Sequence, residues 1–285
     1  MRALLLLVLL PASAFAQAEA PVGVRAAGMG GAFTAVADDA SAAYWNPAGF
    51  ASGSFISLVV DGNVLDRRSG ALVALGTPPL GLSYYRTAIA AEKNGRNTLV
   101  AHHVGVSLVQ SLGGRLAVGT TLKAVHGIAV APAGTSGAAV SSNKFDADVG
   151  VMATGSLGQL GLSIRNLLQP EFQTPGGAIR LDRRVRAGVS VHTGEATTVA
   201  ADLDLTTATT VRGDWRDVAL GLETRAGRNG RVRGGVHWNT AGGAAPVASV
   251  GGSYAVYGAT MADAQVSFGS SNGDRGWGIG LRFVF

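Results

Sequence analysis

Residues 276–285 read "GWGIGLRFVF". In an extended chain successive side chains point to opposite sides. Trp277, Ile279, Leu281, Phe283 and Phe285 therefore share one face, and Gly278, Gly280, Arg282 and Val284 share the other. One face is bulky and apolar, the other small or charged. The same period recurs upstream. Val185, Ala187, Val189 and Val191 oppose Arg184, Arg186, Gly188 and Ser190. Val199, Ala201, Leu203 and Leu205 oppose Ala200, Asp202 and Asp204, and Val232, Gly234, Val236 and Trp238 oppose Arg231, Arg233, Gly235 and His237. Fourteen segments carry this signal and are expected as strands: 54–61, 70–76, 79–87, 98–110, 114–126, 145–154, 158–166, 181–191, 197–205, 215–225, 231–239, 246–257, 259–269 and 276–285.

The connections add an independent signal. Tight ones ("TPP" at 77–79, "SLGG" at 111–114, "TGSLG" at 154–158, "HTGEA" at 192–196, "RAGRNG" at 225–230, "YGA" at 257–259) alternate with longer ones at 62–69, 88–97, 127–144, 167–180, 206–214, 240–245 and 270–275. A soluble sandwich has no reason for such regularity. A transmembrane antiparallel β-barrel does, with short periplasmic turns and longer extracellular loops. An even strand count and segments of roughly ten residues suit a tilted span. The expected fold class is all-β: a barrel of about 14 strands over 54–285, preceded by a short N-terminal helical plug segment, 17–53. The last strand then ends at the periplasm on Phe285, and its alternating aromatics resemble the C-terminal signature by which bacterial barrel-insertion machinery reads its clients.

Composition agrees. Only 14% of the 285 residues are charged, 42 are Gly and none is Cys, against roughly 25% charged in a typical soluble domain. The basic residues are scattered, with only short pairs such as Arg67–Arg68 and Arg183–Arg184, so the net charge of +5 is no nucleic-acid footprint. The start, "MRALLLLVLLPASAFA", has one Arg, an apolar run from Ala3 to Leu10 and an Ala14-Phe15-Ala16 cleavage pattern. It reads as a signal peptide, 1–16, removed before Gln17, and the run is too short for a helical anchor. The expected location is the bacterial outer membrane, with its lipid as a partner.

If the apolar face meets lipid, the other face lines the lumen. Its charges are Lys123, Asp146, Asp148, Arg165, Arg184, Arg186, Asp202, Asp204, Glu223, Arg231, Arg233 and Arg282, with His237. Acidic and basic strands often neighbour one another, so these groups are expected to pair across the ladder. A structural ion-pair lining is the preferred reading over a charged conduction path.

Enzyme chemistry is not indicated. "GMGG" at 28–31 follows no strand and completes no G-x-G-x-x-G, since position 33 is Phe. His102 and His103 are adjacent on a strand and point to opposite faces. Five scattered His and no Cys give no metal centre, no Ser/His/acid grouping is evident, and no cofactor is expected. Asp38–Asp39 is read as orienting or capping the helix-like run around it.

The segment "RAAGMGGAFTAVADDASAAYWNPAGFAS" (25–52) resembles the N-terminal motif of the FadL-like outer-membrane barrels, which include the FadL/TodX hydrocarbon transporters, the PorV/PorQ proteins and TraF-like barrels. The matching positions are Gly28, Gly30, Gly31, Ala32, Phe33, Ala37, Asp38, Asp39, Ala40, Asn46, Pro47, Ala48 and Gly49. The resemblance implies a fourteen-stranded barrel whose N-terminal segment folds inward as a plug containing the Asn-Pro-Ala turn. In FadL-type members hydrophobic ligands enter from outside and leave sideways through a gap in the wall. In PorV-like members the barrel serves protein secretion, with a secreted protein as partner. The match is at least as close to the PorV and TraF-like pattern as to FadL. This chain is shorter than the FadL transporters, and only Leu167, Leu168 and Phe172 form an apolar group in its two longest loops.

The first function that follows is a plugged channel for small hydrophobic compounds; the alternatives are an accessory or scaffold barrel of a secretion or surface system, or a structural outer-membrane protein, with a general diffusion porin third because the plug and the paired lumen charges argue against an open aqueous channel. For the first, Met29, Phe33, Val36, Tyr44 and Trp45 are the candidates to border a ligand path. Simple packing of these side chains against the wall is the simpler reading of each. Asn46–Pro47 is expected to end the helix-like run, and Gly49 to turn the chain toward a first strand near Ser54.

Overall fold

A computed structural model describes residues 22–65, 68–90, 98–130, 139–174, 177–194, 196–210, 213–269 and 275–285. The expected leader, 1–16, lies outside the described residues. Fourteen strands close into one antiparallel barrel. In chain order they are β1 (Ser57–Leu65), β2 (Arg68–Thr77), β3 (Leu80–Ala90), β4 (Thr98–Leu112), β5 (Leu116–Val130), β6 (Val140–Thr154), β7 (Gly158–Arg165), β10 (Arg184–Thr193), β11 (Thr197–Asp204), β14 (Asp217–Ala226), β15 (Gly230–Asn239), β16 (Val247–Tyr257), β17 (Thr260–Gly269) and β18 (Gly276–Val284). β1 closes the ring on β18, with Ser57 opposite Val284. Two further hairpins stand in the longer loops: β8 (Glu171–Thr174) with β9 (Gly177–Arg180), and β12 (Ala208–Thr210) with β13 (Gly213–Trp215).

Each expected segment holds one barrel strand, and the tight turns all lie at the end where the ring meets Phe285. Closure matters physically because it leaves no edge strand with unpaired backbone groups, which hydrocarbon would not tolerate. The outward face is an aliphatic belt: Val104, Val106, Leu108, Leu122, Leu160, Val250 and Ile279 are all exposed. In water so continuous an apolar surface would be a liability. No described helix is long and apolar enough to cross a membrane.

The wall is uneven. β4, β5 and β6 each run for 15 residues, whereas β7 has 8. The β6–β7 ladder extends only from Val149–Ile164 to Thr154–Gln159, the shortest in the ring. Above it the loop after β7 covers β6 from inside: Leu167 N–H donates to Ala147 O, and Leu168 N–H to Asp146 Oδ1.

The N-terminal segment packs against the inner wall. It contains two short helices, α1 (Val24–Gly28) and α2 (Ala42–Trp45), and a 3₁₀ turn at Pro47–Ser52. This corrects the reading of the run around Asp38–Asp39 as helix-like. Residues 29–41 are turns and extended chain, with Gly30 and Gly31 in the left-handed region. Their polar backbone groups are satisfied by the wall instead: Phe33 and Thr34 N–H donate to Asp202, and Ala40 N–H to Ser57. Asn46 both ends α2 and caps the next turn, its side chain accepting from Ala48 N–H, with Pro47 at the first helical position.

Candidate functional site

The interior is built from glycine seats, a charge ring and an aromatic row. Eight glycines on the inner wall form four cross-strand pairs, and each of these pairs receives one part of the N-terminal segment. Gly76 and Gly81 are register partners, and a Cβ on either would meet the Phe50 ring at 2.6 Å. Gly119 and Gly150 are partners, and Cβ atoms there would lie 2.3 Å from Pro47 C and 2.0 Å from Asn46 Oδ1. Gly161 and Gly188 face Thr34–Ala35, while Gly221 and Gly235 face Met29–Gly30. These are contacts closer than any side chain allows, so the wall is a mould for the segment at four places around the ring. Gly49 belongs to the same device. A Cβ there would stand 1.9 Å from Ala37 O, so it serves close packing inside the 3₁₀ turn rather than a turn toward β1, which begins at Ser57.

The charges form a closed circuit at the end bearing Phe285. Arg25, on α1, holds Glu223 with Nε and Nη2 at 3.0 and 2.9 Å. Glu223 meets Arg233 at 3.1 Å, Arg233 meets Asp263 at 3.2 Å, and Asp263 meets Arg282 at 3.2 Å. Arg282 reaches Asp39 at 3.6 Å, and Asp39 returns to Arg25 at 3.1 Å. Asp38 pairs with Arg25, and Arg231 with Glu223. Gly28 lies directly on the Arg233 side chain. Four arginines thus face four carboxylates, which meets the condition for keeping charges in a buried place. The expected pairing of neighbouring strands also holds elsewhere. Lys123 lies 3.0 Å from Asp146 and 2.7 Å from Asp148. Arg186 lies within 3.5 Å of Asp202, Asp204 and Asp217. Arg184 and His237 are half-buried, and among the described residues neither forms an ion pair.

Burial alone would raise the Asp39 carboxyl. Arg25 and then Arg282, with the Ser41 hydroxyl and N–H, outweigh burial and hold its pKa below the ordinary carboxylate range. A depressed pKa gives stabilisation that is complete above the ordinary value and is lost only as pH falls through the lower, native-state one. Protection of the inner segment from chymotrypsin is therefore expected to be unchanged down to about pH 5. Exposure of the segment on going from neutral pH to about pH 5 would contradict this account of Asp39.

An aromatic row crosses the interior. His103 stacks on Tyr85 at 4.2 Å, and Tyr85 meets Tyr44 edge-on at 5.2 Å. Tyr44 meets Trp45 at 5.4 Å, and Trp45 meets Phe33 at 6.0 Å. Arg165 lies over the Tyr44 ring at 4.0 Å, Arg186 over Trp45 and Arg25 over Phe33, each a cation–π contact. Met29, Phe33, Val36, Tyr44 and Trp45 are all buried. They pack in the contacts above or in the same apolar cluster. Beside Asn46–Pro47 the wall is closed by the full β5–β6 ladder.

Toward the opposite mouth the β8–β9 hairpin folds inward. Phe172, Ile179 and Leu181 bury themselves with Leu99, Ala101 and Val125, and Phe172 lies flat on Gly127. Of the expected loop cluster only Phe172 is here; Leu168 is exposed. Sequence reading missed Ile179, Leu181, Asp263, Asp217 and Arg25. Asp263 was within reach, because Ala262, Ala264 and Val266 alternate against it. Arg25 carried only its isolation in an uncharged stretch. Among the described residues no group of three or more His, Asp or Glu could hold a metal ion.

A family described as "F plasmid transfer operon, TraF, protein" matches residues 98–204, the stretch from β4 to β11, separate from the 25–52 motif. No curated protein matches the sequence. Among solved structures, the CymD monoaromatic hydrocarbon channel superposes with a TM-score of 0.74 at 16% identity, covering 93% of this chain and 97% of that one. The Ralstonia pickettii toluene transporter TbuX gives 0.66 at 13%, covering 92% and 98%. The Pseudomonas putida toluene transporter TodX gives 0.62 at 11%, covering 95% and 98%. The chain therefore has the fold of the FadL-like barrels.

Proposed function

We propose that the protein is an outer-membrane barrel for uptake of small hydrophobic compounds, with the N-terminal segment acting as its plug. The observation that carries this is the apolar cluster at the mouth, Leu99, Ala101, Val125, Phe172, Ile179 and Leu181, set beside the shortest ladder of the wall. A compound entering there has to part these buried aliphatic and aromatic side chains above the plug. A lateral way out has to open the seam between upper β6 and the loop after β7, which Leu167 N–H to Ala147 O and Leu168 N–H to Asp146 close at rest, and not the full ladder beside Asn46–Pro47. That the chains of like fold are described as hydrocarbon channels and toluene transporters supports the ligand class. The plug, locked by the charge ring and the glycine seats, bars polar solutes from the lumen.

The test is uptake by cells with an intact outer membrane. Cells expressing the protein are expected to take up toluene severalfold faster than cells without it, while glucose-sized polar solutes gain nothing. A variant lacking 25–50 should admit both. Equal toluene uptake with and without the protein rejects the reading.

The close seating of the segment and the TraF match favour a second reading, an accessory barrel of a secretion or surface system. Co-purification of a secreted protein with the barrel, together with no gain in toluene uptake, would select it.

A further inference from the structure

The outward positions of the barrel strands are almost uniformly apolar or small. Among the described residues they carry three basic side chains, Arg86, His102 and His126, and no acidic one. These three stand side by side: Arg86 on β3 is the register partner of His102 on β4, His102 of His126 on β5, and His126 of Asn143 on β6. Chance would scatter three such groups around fourteen strands rather than align them in one row.

The row's height is defined. His102 is ten residues from Leu112, the end of β4 on the short-turn side, and a tilted strand of about ten residues crosses the hydrocarbon. The row thus sits where the strands leave the acyl region at the mouth side. The row directly beneath it is Tyr84, Val104, Ala124 and Phe145, with Phe145 80% exposed, an aromatic level suited to the membrane interface.

The side chains are held for an outside partner. Arg86 Nη1 donates to Ser69 O at 3.0 Å and Ser69 Oγ at 2.7 Å. His102 Nδ1 is 2.9 Å from Tyr84 OH, and His126 Nδ1 is 2.7 Å from Asn143 Oδ1. With both Nδ1 atoms engaged, the Nε2 atoms remain to meet a ligand. A patch of one guanidinium and two imidazoles, on a surface bathed by lipid, complements an anion presented at headgroup height. We propose that Arg86, His102 and His126 form a docking site for the phosphate of a phosphorylated outer-leaflet lipid. This goes beyond the uptake reading and stands whether or not the barrel transports; it rests only on the outer-membrane orientation.

An imidazole Nε2–H and the Arg86 guanidinium both donate to a phosphate oxygen. The groups facing the row are Arg86 and Tyr84 on β3, His102 on β4, His126 on β5 and the neutral Asn143 and Ser69. Lys144, next to Asn143, has the inward-facing position.

The experiment uses the full chain, immobilised in detergent micelles, and three probes: diphosphorylated lipid A, its phosphate-free counterpart and inorganic phosphate. The phosphorylated lipid is expected to bind about tenfold more tightly than the phosphate-free one. R86Q/H102Q/H126Q should abolish that preference while the heat-dependent gel shift of a folded barrel persists; R86K should keep most of it. If the triple variant does not give the shift, R86Q alone is read, and it should lose most of the preference. Equal binding of the two lipids, an unaltered preference in the variants, or displacement of the lipid by an equal concentration of inorganic phosphate overturns the proposal.

Discussion

Replacing Arg25 by Met is expected to free the inner segment from the wall, at a cost of about 3–5 kcal/mol, the range for removing one partner of a buried ion pair. The magnitude follows from what Arg25 holds. It binds Glu223 through two nitrogens and also pairs with Asp39 and Asp38. Burial pulls its guanidinium pKa down, but the three carboxylates outweigh that and keep it well above its ordinary value. Met fills much of the same space, so the loss is electrostatic rather than a cavity. Glu223 keeps Arg233 and Arg231, yet Asp39 is left with Arg282 at 3.6 Å as its remaining cation. The ring is the link between α1 and strands β14, β15, β17 and β18, so breaking it should unseat the segment while the barrel ladder survives. Three measurements check this: faster chymotryptic cleavage at Phe33, Tyr44 or Trp45, an unchanged gel shift of the barrel on heating, and a rise in single-channel conductance. Arg25→Met with Glu223→Gln should restore part of the protection, because the pair is coupled. Unchanged protection in the single variant would show that the glycine seats alone hold the segment.

The barrel was legible because one physical property, lipid contact on alternate residues, is written along every strand. A segment such as 231–239 keeps its register despite three arginine or histidine side chains, since only the outward set must be apolar. The β8–β9 and β12–β13 hairpins were not legible. Their strands are three or four residues long, too short for a period, and they are held by the barrel rather than by pattern. Pairing of Arg186 with Asp202 and Asp204, or of Glu223 with Arg233, could be read because it depends only on which strands are neighbours. Closing the charge ring through Arg25 and Asp39 could not, since it depends on where the N-terminal segment comes to rest. The helix-like reading of the run around Asp38–Asp39 failed for the same reason: Asp202 and Ser57 on the wall supply hydrogen bonds that a helix would have made internally. Glycine abundance signalled a small inner face. That eight of them form four pairs across strands, each pair receiving one piece of the segment, is a property of register and has no signature along the chain.

That pairing sets the second large effect. Gly150→Val places a Cβ 2.0 Å from Asn46 Oδ1, 2.9 Å from Pro47 Cδ and 3.0 Å from Ala48 N. Relief by a small shift is blocked from the other side, where a Cβ on partner Gly119 would already be 2.3 Å from Pro47 C. The Asn46-Pro47-Ala48 turn must therefore move off the wall. Asn46 is buried, and its amide donates to Thr34 O at 2.9 Å and Val151 O at 3.2 Å while accepting from Ala48 N–H. Displacement breaks the Val151 bond and strains the other two. Overpacking costs about 1–3 kcal/mol, and a buried amide group left unpaired adds about 1–3 kcal/mol. Valine favours strands, so β6 itself should form. The expected outcome is a folded barrel in which chymotrypsin cuts at Tyr44, Trp45 or Phe50. Gly62→Val is the matched control, because a Cβ there meets nothing within 4 Å; it should change stability by less than about 0.5 kcal/mol. If both variants protect the segment equally, the seats are incidental and the charge ring alone fixes it. If Gly150→Val alone exposes it, the wall's shape, and not only its charge, decides whether the lumen is shut.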